Sequence, residues 1–77
     1  MDNKVWVLVS LENMILNDAN VYETSDGAMK EFNEIFEDMQ ENAEILHESA
    51  EADEPWFMAR LDGSLWTFHV LERYVYQ

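Results

Sequence analysis

Seventy-seven residues with 48% hydrophobic side chains, three Trp, four Phe and three Tyr suffice for one domain with one core, and exclude an aromatic-poor disordered acidic tail. Seventeen acids against four bases give a net charge of −13, which repels nucleic acid and anionic membranes and attracts basic surfaces. The chain has no Cys, which excludes disulfide, thiolate–zinc and cysteine-nucleophile chemistry.

Met1-Asp2-Asn3-Lys4-Val5-Trp6 lacks the basic and long apolar regions of a signal peptide, and no apolar run approaches the roughly 20 residues that span a bilayer. The expectation from these features is a cytoplasmic protein of a bacterial or infected host cell. A chain this short buries only about 60% of its unfolded surface, so its stability is modest. Self-repulsion makes that stability rise with added salt.

From Lys4 to Glu12 the residues alternate, with Val5, Val7, Val9 and Leu11 on one side and Trp6, Leu8 and Ser10 on the other. A period of two rich in β-branched residues predicts a strand. Asn17-Asp18-Ala19-Asn20 reads as a turn, followed by a short return strand over Val21 to Thr24. Met14 to Leu16 carries no decisive pattern.

Thr24-Ser25-Asp26 supplies N-cap candidates and an early acid for a helix. At 100° per residue, Ala28, Phe32, Ile35, Phe36, Met39, Ala43, Leu46 and Ala50 fall on one arc, while Glu31, Glu34, Glu37, Asp38, Glu41, Glu44, Glu48 and Glu51 fall opposite. The pattern predicts a helix from about Asp26 to Glu48, roughly 34 Å long and large for so small a sheet. Ile45 breaks it by landing within the acidic arc: either the helix bends near Asn42, or Ile45 is an exposed contact.

Ala50 to Glu54 is an acidic connector, and Pro55 ends any helix before it. Asp62-Gly63 between two alternating apolar runs predicts a hairpin with a two-residue type I′ turn. Its register pairs Leu61 with Ser64, Ala59 with Trp66 and Phe57 with Phe68. One face then carries Phe57, Ala59, Leu61, Trp66, Phe68 and Val70; the other carries Trp56, Met58, Arg60, Leu65, Thr67, His69 and Leu71, with His69 opposite Trp56. Arg73 to Tyr76 extends the last strand through a bulge. The predicted architecture is α+β: a small antiparallel sheet, ββαββ, with one long amphipathic acidic helix packed on one face, as a single domain over residues 1–77.

Little in the chain points to catalysis. Gly27 and Gly63 have turn or helix-start roles and form no phosphate loop, and Ser10, Ser25, Ser49 and Ser64 sit in no nucleophile motif. The many carboxylates read as solvated, without the burial that raises a general acid's pKa. His47 and Glu51 at i, i+4, or Glu51, Asp53 and Glu54 together, are the nearest approach to a metal set, but no complete ligand set is visible, and no cofactor or metal is expected.

The acids carry the main expectation. From Glu31 to Glu54 there are ten acids and no Lys or Arg. Like-charged neighbours such as Glu34–Asp38, Glu37–Glu41, Glu41–Glu44 and Glu44–Glu48 cost about 1–2 kcal/mol along the helix. A row of Glu34, Glu37, Glu41, Glu44 and Glu48, joined by Asp38, rises about 5 Å per step, against 3.4 Å per phosphate along a B-DNA strand. The expected function is a non-enzymatic acidic inhibitor of phage or mobile-element anti-defence type. Its carboxylates would mimic phosphates and occupy a basic groove of a nucleic-acid-binding protein. The alternative is a small regulatory or immunity-type module that binds a protein partner, or itself as a homodimer, through an apolar sheet face. Trp6, Leu8, Trp56, Met58, Leu65 and Leu71 are expected on that face, away from the helix. The plain alternative for the acids is a solvated face.

Overall fold

The computed structural model describes residues 3–49 and 53–75. Six elements follow in the order ββαβββ: β1 Asn3–Glu12, β2 Ile15–Tyr22, α1 Ser25–Asn42, β3 Glu44–Ser49, β4 Trp56–Leu61 and β5 Ser64–Val75. The strands form one antiparallel sheet in the order β2-β1-β5-β4-β3, and α1 crosses one face of it, touching all five strands. The α+β class with one helix on an antiparallel sheet is as expected; the extra strand, β3, is a correction to ββαββ.

The second hairpin forms as its Asp-Gly turn predicts. Asp62 and Gly63 have φ of 51° and 82°, and the register is Leu61↔Ser64, Ala59↔Trp66, Phe57↔Phe68. The tail continues β5 as far as Val75, in unbroken register with β1, so the expected bulge is absent from the β1–β5 ladder. Tyr76 lies outside the described residues.

The first hairpin turns earlier than predicted. Asn13 and Met14 both have positive φ, 53° and 68°, the pattern of a type I′ turn. The Asn13 side chain accepts a hydrogen bond from the Leu65 N–H at 2.9 Å, and its own N–H donates to the Leu65 carbonyl at 2.6 Å. The turn is thereby anchored on β5. Asn17 to Asn20, expected as a turn, instead lies within edge strand β2, where its polar side chains are exposed. A register shift between Ser10 and Leu11 accommodates the mismatch. Met14 is 63% exposed in a conformation that costs a non-glycine residue about 1–2 kcal/mol. Met14→Gly is therefore expected to raise stability by about 0.5–1 kcal/mol after the entropic cost of glycine, read as a higher urea midpoint. A lower midpoint would show that Met14 packs in a way its exposure denies.

Helix α1 starts where predicted: Thr24 is the N-cap, its Oγ1 accepting from the Gly27 N–H at 3.1 Å. It ends at Asn42, six residues before the predicted end, and this resolves Ile45. Ala43 is already extended (φ −135°), and β3 pairs with β4, bringing Ile45 opposite Ala59 and into the core. Continued as helix, the same residues would stack Glu44 and Glu48 at the negative end of the dipole and leave Ile45 in water. Ala43 packs against the core as expected, although not as part of the helix. Ala50 lies outside the described residues.

The core lies between α1 and the sheet: Ala28, Phe32 and Met39 from the helix, with Leu8, Phe57, Ala59, Phe68 and Val70 from the strands. Four rings form its centre, Phe57 lying 5.6 Å from Phe32, 4.9 Å from Phe36 and 4.9 Å from Phe68. Pro55 is fully buried, and its carbonyl accepts from the Val70 N–H at 2.8 Å.

Candidate functional site

Strand register assigns each side chain to one of two faces, because directly opposed residues share a face. Leu8 opposes Val70 and Trp6 opposes both Tyr22 and Glu72, and Leu8 and Trp6 join the core. They therefore point toward the helix, and their expected position on the far face is corrected. In β1 both parities are apolar, so alternation alone could not say which one meets α1. Trp56, Met58, Leu65 and Leu71 do lie on the far face.

That far face is the first candidate surface. It gathers Val7, Val9 and Leu11 from β1 with Met58, Leu65 and Leu71, all half-buried. Among the described residues no element packs on it, and the thinnest extent of the backbone is 15 Å, room for a sheet and one helix layer. Trp56 and His69 stack on it at 5.9 Å. Near its middle Thr67 is only 3% exposed, and its Oγ1 has no hydrogen-bond partner among the described residues. Such an unmade bond costs about 1–3 kcal/mol.

Charge is partitioned between the faces. Among the described acids in strands, Glu12, Asp18, Glu48 and Glu72 oppose helix-side residues (Trp66, Ser10, Phe57 and Trp6). Only Glu44 shares the far face, opposite Arg60, with 3.4 Å between Arg60 Nη1 and Glu44 Oε1.

The helix carboxylates form the second candidate surface. Glu31, Glu34, Glu37, Asp38 and Glu41 are all exposed, while Phe32 and Met39 of the same helix are buried. Among the described residues the ion pairs are Lys4–Glu72, Arg60–Glu44 and Arg73–Glu54, so none of these five carboxylates is in one. The last helical turn contains no basic residue, and Asn42 Nδ2 donates to the Asp38 carbonyl at 2.9 Å and to its Oδ1 at 3.2 Å. Acids in that half of a helix oppose its dipole. The predicted row is broken after Glu41: Glu44 and Glu48 stand on β3, on opposite faces of the sheet. The remaining run from Glu31 to Glu41 rises about 15 Å.

A third feature is an open cleft of about 510 Å³ lined by Trp6, Ser25, Met29, Asp53, Glu54 and Glu72. Glu72 pairs with Lys4 at 3.3 Å, and this bond and charge raise the Lys4 pKa. The Glu72 N–H donates to Glu54 at 2.9 Å, and together with Arg73 it holds the Glu54 carboxyl below the usual value. These carboxylates serve to clamp the end of β5. His47 lies on β3, not on a helix, so the i, i+4 metal pairing has no basis; Glu51 lies outside the described residues. Among the described residues no three His, Cys, Asp or Glu side chains gather as a metal would need, and no helix is long and apolar enough to cross a membrane.

No protein-family model matches the chain, no curated protein matches it, and no solved structure matches it.

Proposed function

We propose that the protein is a non-enzymatic acidic inhibitor whose helix carboxylates, Glu31 to Glu41, mimic nucleic-acid phosphates and occupy a basic groove of a nucleic-acid-handling protein. The observation that carries this reading is the set of five exposed helix carboxylates that, among the described residues, form no ion pair, four of them (Glu34, Glu37, Asp38 and Glu41) in the C-terminal half of the helix and Glu41 in its last turn. That arrangement costs folding energy, and a basic partner supplies the missing counter-charge, steering association as well as holding the complex. Relative to the sequence expectation, the binding row is shorter, and Glu44 and Glu48 fall outside it. A bacterial or infected-cell cytoplasm, with a phage or mobile-element role, is part of the same proposal. The second reading, a regulatory or immunity-type module that binds through the far sheet face, is favoured by the uncovered apolar surface there.

Affinity capture from a bacterial lysate, with wild type beside E34Q/E37Q/D38N/E41Q, tests the first reading. Wild type is expected to retain a basic nucleic-acid-binding protein that the variant loses, with retention falling steeply as salt rises. Equal retention by both baits, or salt-insensitive retention, would leave the carboxylates as solvated surface. Loss of the partner on changing Trp56 and Leu65 to polar residues, with the helix variant unaffected, would favour the second reading.

A further inference from the structure

We infer that the far sheet face is covered by a second copy of this chain, two sheets packing face to face as a sandwich with the helices outermost. The two-fold axis then lies in the plane between the sheets, and Val7, Val9, Leu11, Met58, Leu65 and Leu71 of each copy form the shared core.

Two observations select a second copy over another partner. The first is charge. Two chains of net charge −13 repel, so they associate only through a surface from which acids are removed. On the far face the one strand acid, Glu44, sits 3.4 Å from Arg60. A basic partner would instead gain from acids around this face, and the strands place theirs on the helix side. In the sandwich each helix lies about 10 Å behind its own sheet and the sheets lie about 10 Å apart, so the two carboxylate arrays stand about 30 Å from each other. That is several screening lengths at physiological salt, where the Debye length is about 8 Å.

The second is size. Five strands at about 4.8 Å, crossed by some seven residues at about 3.3 Å, give a face of roughly 24 by 23 Å. Two such faces remove about 1,100 Å² in projection, and more once side-chain relief is included, which approaches the 1,200–2,000 Å² of stable interfaces.

This inference stands independently of what the helix carboxylates bind. A monomeric protein would leave the inhibitor reading intact, and a failed capture would leave the dimer intact. Sedimentation equilibrium on the full chain at about 100 µM is expected to give twice the 9.1 kDa chain mass. Val9→Glu with Leu65→Glu should weaken self-association by at least about 100-fold, because each buries an unpaired charge, with the far-UV circular dichroism unchanged. The dimer should tighten as salt rises, opposite to binding of a basic partner. A wild type of single-chain mass, a double variant that remains dimeric, or a dimer that loosens with salt overturns the inference. Should the double variant unfold, isotope-filtered NOEs on a mixed-label wild type decide: cross-chain contacts from Met58 and Leu65 methyls are expected, and their absence overturns it.

Discussion

Phe57→Ala is expected to cost about 3–5 kcal/mol and to bring the protein to the edge of unfolding at room temperature. Phe57 is fully buried, at the centre of the ring cluster formed with Phe32, Phe36 and Phe68. Truncation removes the buried ring and leaves a cavity that helix and sheet both wall, so neither can relax into it alone. A 77-residue chain has about 4–12 kcal/mol of stability in total, so one ring accounts for roughly a quarter or more of it. Urea unfolding followed by circular dichroism measures the loss, with Phe57→Leu as a milder companion. Trp56→Ala is the informative control, since the neighbouring side chain lies on the other face and is only half-buried. A loss below about 1 kcal/mol for Phe57→Ala would mean that helix and sheet are not joined through this cluster.

E34Q/E37Q/D38N/E41Q should be more stable than wild type by about 1–3 kcal/mol. The changes remove repulsion in Glu31–Glu34, Glu34–Glu37, Glu34–Asp38, Glu37–Glu41 and Asp38–Glu41, each costing about 0.2–0.5 kcal/mol. They also remove charges that oppose the helix dipole near Asn42, and the Asn42 bond to the Asp38 carbonyl survives. At about 4–8 °C per kcal/mol for a domain of this size, the thermal midpoint rises by around 10 °C. The gain should shrink in high salt, where wild type recovers much of the difference through screening. A variant no more stable than wild type at low salt would show that the face carries no repulsive cost, and the motive for a basic partner would go with it. Because the variant is expected to fold better, any partner it loses in the capture experiment cannot be lost through misfolding.

How much could be read in advance differs from element to element. The Asp62-Gly63 hairpin was legible to the residue because its turn chemistry is local: two positive φ angles set the register, and the register set both faces. The Thr24 cap and the helix face from Ala28 to Met39 were legible for the same reason, each resting on neighbours within one or two turns. The first hairpin was not. Its turn places a methionine in the left-handed region, against local preference, and is held by Asn13 bonding to Leu65 fifty-two residues away. Asn17 to Asn20 resembles a turn, and is tolerated in a strand because edge strand β2 leaves those side chains in water.

The candidate surfaces divide in the same way. Composition, turn chemistry and helical periodicity by themselves determined a small acidic α+β chain, with one tight hairpin at Asp62-Gly63 and Glu34, Glu37, Asp38 and Glu41 on the helix side away from Phe32. Only the tertiary structure decided that the helix stops at Asn42, that Glu44 and Glu48 part onto opposite sheet faces, and that Trp6 and Leu8 turn inward while Val7 and Val9 turn outward. Each of these depends on which strand lies beside which. A period of two states that successive side chains point to opposite faces, but which face is buried is set by the partner across the ladder, and Leu8 learns that from Val70, sixty-two residues on.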